Sequence, residues 1–257
     1  METIIIDRDA GVVTVTLNRP HKKNAANATM WSELLQTFQE IAGNAADRAV
    51  VITGSGGDFC SGADLSADDR DARPHQLGVM RHIGDVAIAL HRLPQPVVAK
   101  VRGVAVGAGC NLALGCDLVV AADTARFSQI FVRRGLSVDF GGSWLVPRHV
   151  GIHRAKELAL LGDIVSAPEA AAMGLVNRVL PEEQLDAFVA DWAARLAAGP
   201  PIAMAQTKRM LDNSAGATFE QAIDDEGAAQ TVNFSTADTA EAMVAFLQKR
   251  SPIFQGR

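Results

Sequence analysis

The chain has 257 residues, ordinary apolar content and a formal net charge of −5. That length suits one large domain or one and a half, and the mild acidity without a Lys/Arg run argues against a nucleic-acid partner. No apolar stretch approaches the roughly 20 residues that span a bilayer, and the amino terminus has neither the basic region nor the apolar core of a signal peptide.

In chain order, residues 3–17 read as a hairpin: Thr3–Ile6, a turn over Asp7–Gly11, then Val12–Leu17 with partial alternation. From Asn27 the apolar positions Trp31, Leu34, Leu35, Phe38, Ile41 and Ala42 follow helical spacing, with Asn27 or Thr29 as candidate N-caps. Ala49–Thr53 reads as a short buried strand. It opens into a glycine-rich loop from Gly54 to Leu65. Residues 66–76 are polar without periodicity, which predicts a mobile surface loop. A helix over roughly 77–92 follows, ended by Pro94 and Pro96.

Two β-branched runs, Val97–Val101 and Leu118–Ala122, read as buried strands around a second glycine-rich turn, Gly103 to Gly109. A helix starting near Ala108 would leave its first N–H groups unpaired and aim its positive end at whatever lies in front. Glycines in the turn let backbone amides approach a ligand without an intervening Cβ. The pattern is an anion or oxyanion site in outline. Ala125–Ser128, an irregular polar segment and a third glycine cluster at Gly141-Gly142 come next, so strand–loop–helix units recur as a ββα plan.

Beyond Ser143 the pattern is helical, with Gly174–Val179 as the one strand-like interruption. Pro181-Glu182-Glu183 starts a helix carrying Leu185, Phe188, Val189, Trp192 and Leu196, and Pro200-Pro201 breaks it and starts another. The last helix, Thr236–Arg250, sets Ala240, Met243, Val244 and Leu247 on one face that must be buried against its own domain or a neighbouring subunit. Cys60, Cys110 and Cys116 are odd in number and lie in apolar or glycine-rich surroundings, which predicts reduced, buried thiols in a cytoplasmic protein.

Two turns, each following a buried strand, carry a resemblance. The first is Phe59-Cys-Ser-Gly-Ala63-Asp64-Leu65; the second is Gly103-Val-Ala-Val-Gly107-Ala108-Gly109-Cys110-Asn111, followed by Cys116-Asp117. With Leu17-Asn-Arg-Pro20, the Gly135 to Gly142 segment, Ala170 to Val176 and the tail from Ala245 to Phe254, the chain resembles the enoyl-CoA hydratase/isomerase (crotonase) superfamily over nearly its whole length. The resemblance implies an α/β fold, a crotonase-like spiral of ββα repeats over residues 1–195, and a helical C-terminal trimerisation region over residues 196–257. It implies an acyl-CoA thioester as substrate, coenzyme A entering as the thioester moiety, no permanently bound cofactor, and a homotrimer or dimer of trimers.

It further implies an oxyanion hole made of the backbone N–H groups of Ala63 and Ala108. For coenzyme A it points to Lys22 and Lys23 in the early loop, to Ala63, Asp64 and Leu65 in the first turn, and to Phe246 and Lys249 reaching a neighbouring subunit's ligand. The ordinary alternative for both early lysines is solvated surface charge. Asp64 and Asp117 also suit structural roles, as acceptors in a loop and at a helix end.

The hydratases of this superfamily carry two glutamates, and the matching positions here are Asn111 and Phe131. A carboxamide can orient water but cannot take its proton at neutral pH, and a phenyl ring can do neither. Asp139, in Gly135-Leu-Ser-Val-Asp139-Phe-Gly-Gly, matches the aspartate of isomerase-type members. The segment and the tail most resemble the isomerases of phenylacetyl-CoA breakdown. Asp139, Ala63, Ala108 and Asn111 are therefore the expected catalytic set, with Asn111→Asp and Phe131→Ala expected to matter much less than Asp139→Asn. His149 and His153 have i, i+4 spacing, but no carboxylate base accompanies them and no metal is assigned. The expected activity is enoyl-CoA isomerisation; a hydratase, a dehalogenase-like enzyme and a coenzyme A-binding protein with little turnover remain open.

Overall fold

The computed structural model describes residues 1–66 and 75–257. Most of the polar loop expected over 66–76 lies outside the described residues. A six-stranded sheet has the order β1-β2-β3-β4-β6-β9, from Ile4–Asp9, Val12–Leu17, Ala49–Gly54, Val97–Val101, Leu118–Ala122 and Arg178–Leu180. Only β1 and β2 pair antiparallel; the other neighbours are parallel. β1 runs on to Asp9, three residues further than expected. Ala10 and Gly11 alone make the turn, with φ of 46° and 82°. Two successive positive φ values match the right-handed twist of the flanking strands, so the hairpin needs no longer loop.

Parallel strands must be covered on both faces, and alternation along the strands shows how. Val50, Ile52, Val97, Ala99 and Val101 join a cluster with Leu34, Phe38 and Ile41 of α1 (Ala28–Gly43) and Val86 and Leu90 of α2 (Gln76–His91). Leu112 of α3 (Ala108–Leu114) belongs to the same cluster. Val51, Val98, Val120 and Ala122 point the other way, onto Leu185, Val189 and Ala193 of α7 (Glu182–Ala197). Asn27 caps α1, its side chain accepting from Met30 N at 3.0 Å.

A second, three-stranded sheet, β5-β7-β8, joins Val104–Val106, Arg126–Ser128 and Ile164–Ser166. β8 went unrecognised in the sequence because three residues between a helix and a capping box show no periodicity. The box is Ser166 with Glu169, which starts α6 (Ala167–Ala172). α4 (Gly142–Val150) and α5 (Ile152–Leu161) precede it, and α8 (Pro201–Asn213), α9 (Phe219–Phe234) and α10 (Ala237–Gln248) complete the chain. Lys208 of α8 ties the C-terminal helices to the core through Asp117, 2.8 Å away, whose carboxylate also accepts from Val97 N at 2.6 Å. Asp117 thus serves as the structural acceptor expected of it. Among the described residues no helix is long and apolar enough to cross a membrane.

Candidate active site

The two glycine-rich turns lie side by side. Cys60 N donates to Val104 O at 2.9 Å and Val106 N donates to Cys60 O at 3.0 Å, so the first loop pairs with β5. On its other side, Ala26 N donates to Gly62 O at 2.8 Å and Asp64 N donates to Ala26 O at 2.9 Å. That parallel bridge uses the groups flanking Ala63 and leaves the Ala63 N–H facing away from it. Close packing continues along the pair. A Cβ on Gly62 would lie 2.9 Å from Val106 O and 3.8 Å from Ala108 N, and one on Gly109 would lie 2.3 Å from Cys60 O. Only glycine at 109 lets α3 approach the first loop so closely.

Ala108 is the first residue of α3, after Gly107 at φ 57°. An N–H there has no intrahelical acceptor. Among the described residues neither Ala63 N–H nor Ala108 N–H has a hydrogen-bond partner. Such donors can hold an oxyanion, and removing one from an enzyme site typically costs about 2.7–4 kcal/mol of barrier.

Asp139 follows on a tight turn. Its carbonyl accepts from Gly142 N at 2.9 Å, and the two central residues, Phe140 and Gly141, have φ of 48° and 76°. A buried phenylalanine in the left-handed region is unfavourable by itself. Packing holds it there, with the Phe140 ring centroid 5.4 Å from that of Trp31. The Asp139 side chain is half-buried, and its Oδ1 is buried without a partner among the described residues. Burial disfavours the charged form and pushes the carboxyl up to about 6.

Asn111 is fully buried on α3, and both ends of its carboxamide are engaged. Nδ2 donates to Asp139 O at 2.8 Å, and Oδ1 accepts from Gln129 Nε2 at 2.8 Å. Asn111, expected among the catalytic groups, thus spends one donor and one acceptor position on protein groups. It holds the main chain of the Asp139 turn. Phe131 is 5% exposed, and a Cβ on Gly107 would sit 3.7 Å from its ring. The phenyl thus lies against the Gly107 turn as an apolar neighbour.

Lys22 and Lys23 adjoin the first turn, since Ser61 N donates to Lys23 O at 3.0 Å and Ser61 Oγ donates to Lys22 O at 3.1 Å. Both side chains are exposed, and Lys23 Nζ lies 3.9 Å from Asp58. Leu65 is exposed. The Asp64 carboxylate is taken up inside the protein. It accepts from Ser66 Oγ at 2.7 Å and pairs with Arg19 at 2.9 Å. Those hydrogen bonds, that of Ser66 first, hold it down at about 2.

Phe246 and Lys249 are not brought to these turns within one chain. α10 packs chiefly on α9, and both residues are exposed. The tail folds back on α10, with Gln255 N and Gly256 N donating to Asp238 at 2.7 and 2.9 Å. A cleft of about 840 Å³ lies at the opposite end of α3, between α4 and α8. A second of about 450 Å³ adjoins it, sharing His91, Gly115, Arg148 and Asp212, and reaches Phe140 and Gly141 of the Asp139 turn.

A ββα spiral with paired donor turns, one at the head of a short buried helix, defines a crotonase-fold enzyme. The family model for enoyl-CoA hydratase/isomerase matches residues 7–257, and the chain belongs to that family. It is 37% identical over 263 residues to the 1,2-epoxyphenylacetyl-CoA isomerase of Escherichia coli (strain K12), covering 100% of both chains. It is 32% identical over 253 residues to the short-chain-enoyl-CoA hydratase of Clostridium acetobutylicum, covering 97% of this chain and 96% of that one. The crystal structure of enoyl-CoA hydratase from Bacillus anthracis superposes with a TM-score of 0.94 at 31% identity, covering 100% of each. The fold and the enzyme family expected from the two turns are thus established. Gln129 is the residue that sequence reasoning passed over, since a glutamine before an apolar pair carries no spacing signal.

Proposed function

We propose that this enzyme moves a double bond in an acyl-CoA thioester, with Asp139 as its single acid/base. The observation that carries the reading is the Asp139 carboxyl, half-buried with an unpartnered Oδ1, beside positions 111 and 131 that offer no carboxylate. In a 3-enoyl thioester, Asp139 takes the proton from C2. The electron pair moves toward the thioester oxygen, and the C3–C4 bond becomes part of a dienolate. The N–H groups of Ala63 and Ala108 hold the resulting oxyanion. The protonated Asp139 then returns a proton to C4, leaving the double bond between C2 and C3. The apolar Phe131 ring beside Gly107 limits water at the intermediate.

Lys22, Lys23 and Leu65 border the entrance beside the first turn, where the coenzyme A moiety would lie. Phe246 and Lys249 would reach it from a second copy, in a trimer or dimer of trimers built on the helical region after residue 195. A cytoplasmic location fits three buried free cysteines.

A second reading, hydration of a 2-enoyl-CoA, is supported by relatives at similar identity that bear hydratase names. The two separate in one assay. A 3-enoyl-CoA and a 2-enoyl-CoA are each incubated with enzyme, and double-bond position and water addition are followed by mass spectrometry. Conversion of the first without hydration of the second supports isomerisation; efficient hydration with no isomerisation overturns it.

A further inference from the structure

We infer that Gln129 is a positioning residue, which fixes the orientation of the Asn111 carboxamide and through it the main chain that carries Asp139. The inference rests on the acid/base reading of Asp139. Its geometry is a chain of three groups: Gln129 Nε2 to Asn111 Oδ1 at 2.8 Å, and Asn111 Nδ2 to Asp139 O at 2.8 Å.

The direction of that chain follows from chemistry. A main-chain carbonyl can only accept, so Asn111 must turn its NH2 toward Asp139. Its oxygen then faces Gln129, which must answer with its own NH2. Were the Gln129 donor missing, the Asp139 carbonyl alone would tell the two ends of the Asn111 carboxamide apart, and its buried Oδ1 would lose its partner. A reversed carboxamide would set oxygen against the Asp139 carbonyl and push the turn away.

Two further observations support a tuned contact. Gln129 Nε2 also donates to Cys110 Sγ at 3.4 Å, while its Oε1 is buried without a partner among the described residues. The side chain is thus held by its donor end alone, although buried polar atoms are usually satisfied. Asn111 is also confined sterically, because a Cβ on Gly142 would lie 2.3 Å from Asn111 Nδ2. The preceding residue, Ser128, accepts from Gly107 N at 2.8 Å. One short segment therefore touches both the turn that presents the Ala108 donor and the chain that places Asp139. Coupled positioning of this kind matters because a displacement of about 1 Å in a reacting group can cost about 100-fold in rate.

The test uses the full chain and trans-3-hexenoyl-CoA. Gln129→Met keeps the side-chain length and removes the donor. It should lower kcat at least tenfold, with KM within about threefold of wild type. Asn111→Leu should do the same, and the double variant should be no worse than Asn111→Leu alone, since groups in one chain are not additive. Gln129→Glu offers only acceptors when ionised and should be at least as impaired as Gln129→Met. If Gln129→Glu does not fold, Gln129→Met carries the test. A Gln129→Met enzyme within twofold of wild-type kcat, or fully additive losses in the double variant, overturns the proposal. Asp139→Asn is measured alongside. If it retains turnover, the acid/base reading fails and this inference falls with it. If it is inactive while Gln129→Met is unimpaired, only the positioning role is rejected.

Discussion

Asn111 and Asp139 are joined side chain to main chain, with Asn111 Nδ2 donating to Asp139 O at 2.8 Å. The position that holds a glutamate in two-carboxylate hydratases here supports the turn that carries the remaining acid. Asn111→Asp is still expected to cost much less than Asp139→Asn, but this contact gives it a definite cost. An ionised aspartate has no donor for the Asp139 carbonyl, and it adds a buried negative charge nearby. The expected outcome is a kcat at least tenfold lower and a loss of about 1–3 kcal/mol in stability, read from steady-state kinetics and urea unfolding.

Acid pH should silence the enzyme. The Asp139 carboxyl is held up to about 6 by burial, and only its ionised form can take a proton. kcat/KM should therefore rise with pH through about 6 and level off above it. A profile flat from pH 5 to 8 would contradict this assignment.

Stability should run the opposite way. A raised value means that the native state holds this proton more tightly than the unfolded chain, where a carboxylate titrates near about 3.9. The contribution is complete below about pH 4 and is lost as pH rises through about 6. Asp139→Asn stays neutral throughout, so its melting temperature should gain on wild type between pH 4.5 and pH 8. The gain has an upper bound of roughly 3 kcal/mol, since a tenfold difference in proton affinity is worth about 1.36 kcal/mol. Solvent reaching the half-buried carboxyl screens its charge and brings the gain below that bound. Parallel curves would show no such linkage.

Ala108→Pro tests the donor. Proline is tolerated at the first position of a helix because the N–H there lacks an intrahelical partner, so the variant should retain its circular dichroism while losing the Ala108 hydrogen-bond donor. Turnover should drop about 10²–10³-fold. Turnover within twofold of wild type would reject this placement of the oxyanion hole.

The turns, the strands on which they sit and the buried helix after Gly107 were legible because β-branched runs and glycines have direct geometric meanings. Asp139 was singled out by its match to the aspartate of isomerase-type members, while its place before Gly141-Gly142 spoke only for a turn. The roles of Asn111 and Gln129 were not legible, since a buried carboxamide declares its partners only once α3, β7 and the Asp139 turn are assembled. Asp64 shows the same limit: its bonds to Arg19 and Ser66 depend on the loop's folded path. β8 was missed because three residues cannot display a period.

The apolar face of α10 was legible as a face but not as to its cover. Met243, Val244 and Leu247 are 44–80% exposed in one chain. A chain ending before Thr236 should lose both oligomer and affinity for coenzyme A esters, measured by light scattering and by titration with acetyl-CoA. Unchanged assembly with unchanged binding would remove α10 from the site.

The most direct test of the acid/base claim compares wild type and Asp139→Asn on a 3-enoyl-CoA in deuterated water, following double-bond position and label by mass spectrometry. Wild type should give the 2-enoyl ester with less than one deuterium per turnover, because one sheltered carboxyl both takes and returns the proton. Asp139→Asn should still bind the ester and isomerise it about 10²–10⁴-fold more slowly. Efficient hydration of a 2-enoyl-CoA by wild type, undiminished in Asp139→Asn, would contradict the account.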